Sequence, residues 1–438
     1  GSILNVESYN WDLLRRFVAA EDTDGQISMD SVGVEETAEQ LNRLIDIGET
    51  MAQKYWVTCT NPPYAGTSNL SAKVNNFVKK NYPDSKVDLF AVFIERCRQM
   101  TGNNGFQAMI TQHAWMFLSS YEKLREKMML TETVNMAHLG ARAFEEIGGE
   151  VVQTTSFVRC RTHIDDYKGT YCRLIEPTTQ QGKEDMFLAG ENRYFANQDN
   201  FAKIPGRPVA YWASTRALEN YVCMGSVSDM GEGRIGLITG DANRFLRLWS
   251  EVDFKRIGFD IHSNEESVKS GLKWFPTQKG GDFRKWYGNL DYIVNWENDG
   301  YEMKYDNYMG KRVRSHNYNG DLGFKKAITW TTISSGNFAC RFSGDGFIYD
   351  TAGPFFHVTD DRKLYMLLAF LDSKVANFYL KIMNPTINFP PGYIQAIPFS
   401  KECQTEQIEN LSKSCTDMSK NDWDAFETSW DFKKHPLV

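Results

Sequence analysis

The sequence predicts an α/β fold, the second half of a doubly wound sheet, followed by an α+β domain. Three observations predict it. Between Tyr55 and Ile175, strand-like apolar runs alternate with helical stretches, the order that builds a largely parallel sheet. From residue 226 onward the texture changes to short aromatic strands separated by Gly, Asn and Asp turns. The first strand, Tyr55–Thr60, runs straight into Asn61-Pro62-Pro63-Tyr64. Two prolines cannot continue a strand ladder, because neither has an N–H to donate and both fix φ. The strand therefore ends in a rigid turn at its carboxyl end, where open α/β sheets bind ligands.

Taken in order, residues 3–30 show little periodicity, and Asp22–Asp30 reads as a polar loop. Val34–Gln53 sets Leu41, Leu44, Ile45 and Ile47 among acids, a helix. A short helix is expected around Asn75–Asn81. Asp88–Met100 is a helix with Leu89, Val92, Phe93 and Arg96 on one face, closed by a turn over Thr101–Gly105. Phe106–Thr111 is a buried strand, Ser119–Met129 a helix with Lys123, Arg125 and Lys127 exposed, and Val134–Leu139 a strand. Phe144–Glu150 is a loop, and Val151–Cys160 a strand with a hairpin partner at Thr170–Ile175. Such a sheet needs partners on the other side of its first strand, and residues 1–54 offer none.

Ile204–Pro208 is a break and Val209–Trp212 a strand re-entering a core. These features place one domain over 1–205, a boundary over 206–230, a second domain over 231–400 and a tail over 401–438, with a helix over Cys403–Asn421. In the second domain Phe338–Phe342 and Gly346–Asp350 are strands, and Leu364–Met383 is one long apolar helix. Gly231–Gly236 fits G-x-G-x-x-G but lacks the strand before and helix after that a dinucleotide site requires. Phe342–Gly346 reads as a hairpin turn.

The chain has 438 residues, 42% hydrophobic and 13% aromatic, ample for the cores of two or three domains. No apolar run approaches the ~20 residues of a membrane span, and no export signal opens the sequence. Eight scattered cysteines without a C-x-x-C pair read as reduced thiols of a cytoplasmic protein. Seven dispersed histidines lack metal-ligand spacing, so no metal site is expected. Against a net charge of −7, Lys269–Lys326 holds 11 Lys and Arg, 7 Asp and Glu and 12 aromatic residues. That interleaving suits phosphate contacts with stacking; it equally suits a solvated face over an aromatic core. Lys279, Arg284, Lys285, Arg312 and Arg314 are the candidate DNA contacts in this window.

The tetrad itself has two readings: a Pro-Pro turn with a partly buried tyrosine, or a binding turn that presents the Asn61 amide, the Pro62 carbonyl and the Tyr64 ring. It resembles the (Asn/Asp)-Pro-Pro-(Tyr/Phe/Trp) motif of amino-directed DNA methyltransferases. The likeness extends over residues 54–160, where Lys86–Arg96, Asn104-Gly105-Phe106 to Trp115, and His138-Leu139-Gly140 with Phe144 resemble successive motifs of the γ-type N6-adenine methyltransferases. Further on, Ile238–Leu246, Lys273–Pro276, Lys279–Gly281, Trp286–Asn289 and Asn295–Gly300 resemble the large adenine methyltransferases of bacterial phage defence. The PglX methyltransferases of BREX systems are the most similar group, with single-chain restriction–modification enzymes next.

The resemblance implies methyl transfer from S-adenosylmethionine to the exocyclic amine of an adenine flipped out of double-stranded DNA. Asn61 and Pro62 would accept the amine hydrogens, Pro63 would keep the turn rigid, and Tyr64 and Phe144 would stack on the base. Phe93 and Asp88 would contact the cofactor, although Phe93 fits plain core equally well. The second domain would be the target-recognition domain, and other phage-defence proteins are implied partners. A glycine-rich cofactor loop and an acid should precede the tetrad, and residues 1–54 contain neither. With Gly1-Ser2 reading as a cloning scar, the expectation is a fragment that begins inside the methyltransferase domain and binds the cofactor weakly. Competing expectations are a DNA-binding specificity module without catalysis and a fragment of a single-chain enzyme that also cleaves DNA.

Overall fold

The computed structural model describes residues 4, 6–21, 34–144, 152–305, 313–358, 360–435 and 437. It divides the chain into two units, residues 1–202 with 206–212, and residues 203–205 with 213–438. In the first unit the elements are α1 (Trp11–Glu21), α2 (Val34–Ala52), β1 (Tyr55–Thr60), α3 (Ala72–Asn81), α4 (Leu89–Met100), β2 (Thr101–Gln112), α5 (Glu122–Met128), β3 (Glu132–Gly140), β4 (Thr154–Cys160), β5 (Gly169–Arg173), α6 (Gln180–Ala189) and β6 (Arg193–Ala196). Helix α1 was not expected. The Asp22–Asp30 loop and residues 145–151 lie outside the described residues.

The six strands are ordered β1-β2-β4-β3-β5-β6. Pairs β1–β2 and β3–β5 are parallel, and the other three are antiparallel. The expected hairpin between β4 and β5 is not formed. Strand β4 lies between β2 and β3, with Phe157 opposite Met109 on one side and Met136 on the other. Both edges of the β4 backbone are thereby hydrogen-bonded, which a hairpin alone would not achieve. Strand β1 is at the sheet edge, with Trp56 75% and Val57 59% exposed.

Helix α4 is buried on two faces, not one. Phe90, Ala91, Ile94 and Cys97 enter the core with Met109, Met136 and Phe157. Val92 packs with Val78 and Tyr82, flanked by Leu89 and Phe77, so α4 is held between the sheet and α3. The turn expected over Thr101–Gly105 is absorbed into β2 as a bulge. The β1–β2 register jumps from Tyr55↔Thr101 to Val57↔Phe106, with Asn104 at φ 58°. The expected exposure of α5 is also corrected: Arg125 is 2% exposed and donates to the carbonyls of Trp115 and Leu118 at 2.8 Å and, through Nε, of Gly206 at 2.9 Å. Lys127 bridges Asp84 at 2.9 Å and Glu95 at 2.7 Å. Val209–Trp212 enters this core as irregular chain instead of a strand, with the Val209 N–H donating to Met116 O at 2.9 Å.

The second unit holds two four-stranded sheets. One runs Ile348–Tyr349, Trp274–Gln278, Tyr292–Asn295, Leu246–Leu248; the other runs Cys340–Ser343, Ala327–Trp330, Phe355–His357, Glu232–Arg234. Phe342–Gly346 therefore links strands of different sheets and is not a hairpin turn. Glu232–Arg234, inside the G-x-G-x-x-G stretch, is an edge strand with no helix following it directly. The long apolar helix is two, Asp361–Leu371 and Lys374–Met383. Ser373 breaks it, its side chain accepting from Ala376 N as the cap of the second helix. The tail helix Glu406–Trp423 packs on Asp361–Leu371.

At the break, Asp372 is 4% exposed and accepts from Cys340 N at 2.9 Å. Burial pushes its carboxyl up to about 6, against the opposing pull of the Cys340 N–H and Lys285. A carboxyl raised in the folded state favours folding while protonated, and that contribution fades as pH rises from about 4 through 6. Asp372→Asn keeps an acceptor but cannot ionise. Relative to the wild type, its unfolding free energy from urea titration should therefore gain about 2 kcal/mol between pH 4 and pH 8. A difference independent of pH would show that Asp372 stays ionised in the fold.

Candidate functional site

The tetrad leaves the carboxyl end of β1, and the chain after it is clamped. The Asp88 Oδ1 accepts from Ala65 N at 3.0 Å and from Phe90 N at 3.2 Å. Leu89 N donates to Ala65 O at 3.0 Å, and Thr67 N to Val87 O at 3.2 Å. Asp88 thus caps α4 and fastens the turn to it. Burial raises its carboxyl, outweighing those N–H groups. Pro62 is buried, whereas Asn61 is exposed. Among the described residues, no donor bonds the Asn61 side chain or the Pro62 carbonyl. The half-buried Tyr64 ring meets Phe90 edge-on at 6.1 Å, with its hydroxyl 3.5 Å from Ile110 O. Burial raises the Tyr64 phenol as well.

The register sets Thr60, Met109, Phe157 and Met136 side by side across β1, β2, β4 and β3. The carboxyl ends of β1, β2 and β3 therefore share one end of the sheet. Tyr64 and Phe144 both leave from it, three strand steps or about 14 Å apart laterally. Phe93, on α4, is partly buried against the core.

In the second unit, the Lys279 Nζ lies 5.5 Å from the Tyr292 ring centre. Arg284 pairs with Asp422, covers Trp423 at 5.1 Å and donates to Tyr287 O at 3.0 Å. Lys285 Nζ donates to Asp372 O at 2.5 Å. Arg284 and Lys285 thus bind their own unit together. Arg314 is exposed, and Arg312 lies outside the described residues.

Sequence reasoning missed a buried chain at the same sheet end as the tetrad. His113, directly after β2, has Nδ1 2.8 Å from His138 Nε2, and His138 Nδ1 is 3.1 Å from the Tyr211 hydroxyl. Burial lowers both imidazoles, His113 to about 4. Neutral rings thus tie the segment after β2 to β3. The available signal was position, since each histidine stands at the end of a strand; spacing along the chain hid it.

Residues 9–140 match the family model described as Eco57I restriction-modification methylase. The chain is 41% identical over 450 residues to the adenine-specific methyltransferase PglX of Lacticaseibacillus casei (strain Zhang), with 100% of this chain and 37% of that protein covered. It is 37% identical over 409 residues to the adenine-specific methyltransferase BrxX of Escherichia coli O9:H4 (strain HS), with 92% of this chain and 32% of that protein covered. The chain thus spans about a third of the length of these curated relatives. Among solved structures, the Type IIL restriction-modification enzyme MmeI in complex with DNA matches with TM-score 0.50 and 12% identity, over 90% of this chain and 53% of that one. A nuclease-deletion mutant of the Type ISP enzyme LlaGI in complex with a DNA substrate mimic matches with TM-score 0.51 and 10% identity, over 87% and 43%. At such identities the likeness is one of fold, a mixed α/β architecture with several sheets.

Proposed function

We propose that this chain, homologous along its length to adenine-specific methyltransferases, carries the adenine-accepting and DNA-reading parts of a site-specific DNA adenine N6-methyltransferase of a bacterial phage-defence or restriction–modification system. The observation that carries this reading is the pair of acceptors, the Asn61 side-chain oxygen and the Pro62 carbonyl, left without donors on a clamped turn at a strand's carboxyl end. An exocyclic adenine amine is a poor nucleophile, because its lone pair is delocalised into the ring. Two acceptors aimed at its hydrogens favour pyramidalisation and stabilise the positive charge that grows on nitrogen as the methyl arrives. This is preorganised electrostatics, and no strong base is needed before attack. The base reaches the site only when flipped out of the duplex, with Tyr64 on one face and Phe144 reaching in from the end of β3.

In this reading β1–β4 belong to the second half of a doubly wound sheet, with the open edge of β1 as its seam. The second unit is the target-recognition domain, with Lys279, Arg284, Lys285, Arg312 and Arg314 as candidate DNA contacts. The setting is the cytoplasm, alongside other defence proteins. S-adenosylmethionine supplies the methyl group. Among the described residues, no glycine-rich turn follows a strand ahead of the tetrad, Asp88 is engaged by the Ala65 and Phe90 N–H groups, and Phe93 packs on the core. On this chain we propose the adenine side of the reaction, with Asp88 and Phe93 as candidate cofactor contacts.

The test is a methylation assay on adenine-containing duplex DNA with full-length protein. Tyr64→Phe should retain activity, because the ring face is kept. Tyr64→Ala should lower kcat/KM about 5- to 150-fold, the worth of one base–aromatic stack. Equal activity of all three proteins would reject the stacking role.

A further inference from the structure

We propose that the exposed face of α3 is a DNA-backbone contact of the first unit, one that grips the strand carrying the target base. The proposal rests on the methyltransferase reading and adds to it a surface that the basic, aromatic-rich stretch of the second unit does not include.

Residues 65–86 hold four lysines, Lys73, Lys79, Lys80 and Lys86, against the single acid Asp84, in a chain of net charge −7. Asp84 is engaged by Lys127 at 2.9 Å. The apolar side of α3, Val74, Phe77 and Val78, packs with Tyr82 and Val92. All four lysines are exposed, and among the described residues none lies within ion-pair distance of a carboxylate. Helix stability accounts for only part of this pattern. Lys79 and Lys80 stand in the last turn, where the helix dipole favours cations. Lys73 follows the Ser71 cap within the first turn, where the dipole opposes a cation, and Lys86 lies beyond the helix.

Helix α3 is part of the same rigid block as the tetrad. Asn75 Nδ2 donates to Thr67 O at 3.1 Å, three residues after Tyr64. Lys86 adjoins Val87, whose carbonyl takes the Thr67 N–H. A duplex that delivers an adenine to Asn61 must bring its own backbone past this end of the sheet. Duplex DNA carries about one negative charge per 1.7 Å of axis, so phosphates flanking the flipped nucleotide come within reach of these lysines. Such contacts position the strand without reading sequence.

The experiment compares four forms of the 438-residue chain binding a 30-base-pair duplex across a salt series, each checked by circular dichroism. They are the wild type, the quadruple K73Q/K79Q/K80Q/K86Q, the quadruple K73R/K79R/K80R/K86R, and a charge-matched control, K363Q/K374Q/K381Q/K434Q, on exposed lysines of the second unit. The α3 variant should bind more weakly, and its plot of log affinity against log salt should be shallower by about 0.9 per lost contact, up to about 3.6. The control should keep the wild-type slope, and replacing the same four α3 lysines by arginine should restore it. An unchanged slope in the α3 variant overturns this proposal and leaves the methyltransferase reading standing; it would point to an acidic protein as the partner of this face. An equal loss in the control overturns it too, as general electrostatics. No DNA binding by the wild-type chain rejects both the proposal and the assignment of DNA reading to this chain.

Discussion

Asn61→Ala in the full-length protein is expected to lower the rate of adenine methylation about 100- to 1,000-fold, the usual effect of removing one preorganised polar group at a centre of developing charge. Stability should barely change. The Asn61 side chain is exposed and bonded to nothing among the described residues, and such surface positions are worth within about 0.5 kcal/mol. DNA affinity should also hold, since Asn61 acts on the amine and not on the backbone. The combination is the informative result: kcat falls while folding and duplex binding stay put. A rate within about threefold of the wild type would sink the role given to Asn61. Loss of DNA binding alongside the rate would instead make the tetrad a structural support for recognition, in line with a specificity module that has no chemistry of its own.

Arg125→Met is expected to destabilise the first unit by about 3 to 5 kcal/mol, among the largest effects of any single substitution here. The side chain is 2% exposed and holds the carbonyls of Trp115, Leu118 and Gly206. Methionine fills the space but donates to none of them, so one buried and two partly buried acceptors lose their N–H partners. Arg125→Lys should rescue little, because an ammonium cannot span the positions that the planar fork reaches at once. Lys123→Met, two residues away and exposed, should cost no more than about 0.5 kcal/mol. Urea unfolding of the three variants separates the cases, and near-equal midpoints for Arg125→Met and Lys123→Met would refute the buried role. Gly206 belongs to the first unit although Lys203–Pro205 do not, and Arg125 is one of the bonds that keep it there.

Legibility in the sequence followed locality. The strand Tyr55–Thr60, the stop at Pro62-Pro63 and the helix after Asp88 could be read because each is specified by neighbouring residues: a β-rich run, two missing N–H groups, a capping carboxylate before a periodic stretch. The errors came where the deciding partner is distant in the chain. Lys123, Arg125 and Lys127 look alike locally, yet one is exposed, one lies under the core and one bridges two acids. Thr154–Cys160 and Gly169–Arg173 look like a hairpin because they are close in sequence; β4 instead takes the central position that bonds both of its edges. Leu364–Met383 is the exception: its apolar residues run on like one helix, yet a local signal, the Ser373 cap on Ala376 N, divides it in two.

What the sequence by itself determined is the chemistry at the turn: an amide, a carbonyl that no proline N–H can mask, and an aromatic ring, on a rigid stop after a strand. What only the tertiary structure decided is what surrounds it. The fold gives Asp88 a second task as the clamp of the turn. It gave the partly exposed Arg284 and Lys285 partners within their own unit, and it set His113, His138 and α3 with its lysines around the same end of the sheet. The physical reason is common to all of these. A residue's chemistry is carried by its side chain, but its role depends on desolvation and on which partners come within about 3 Å, and those distances are set by how strands, helices and loops pack.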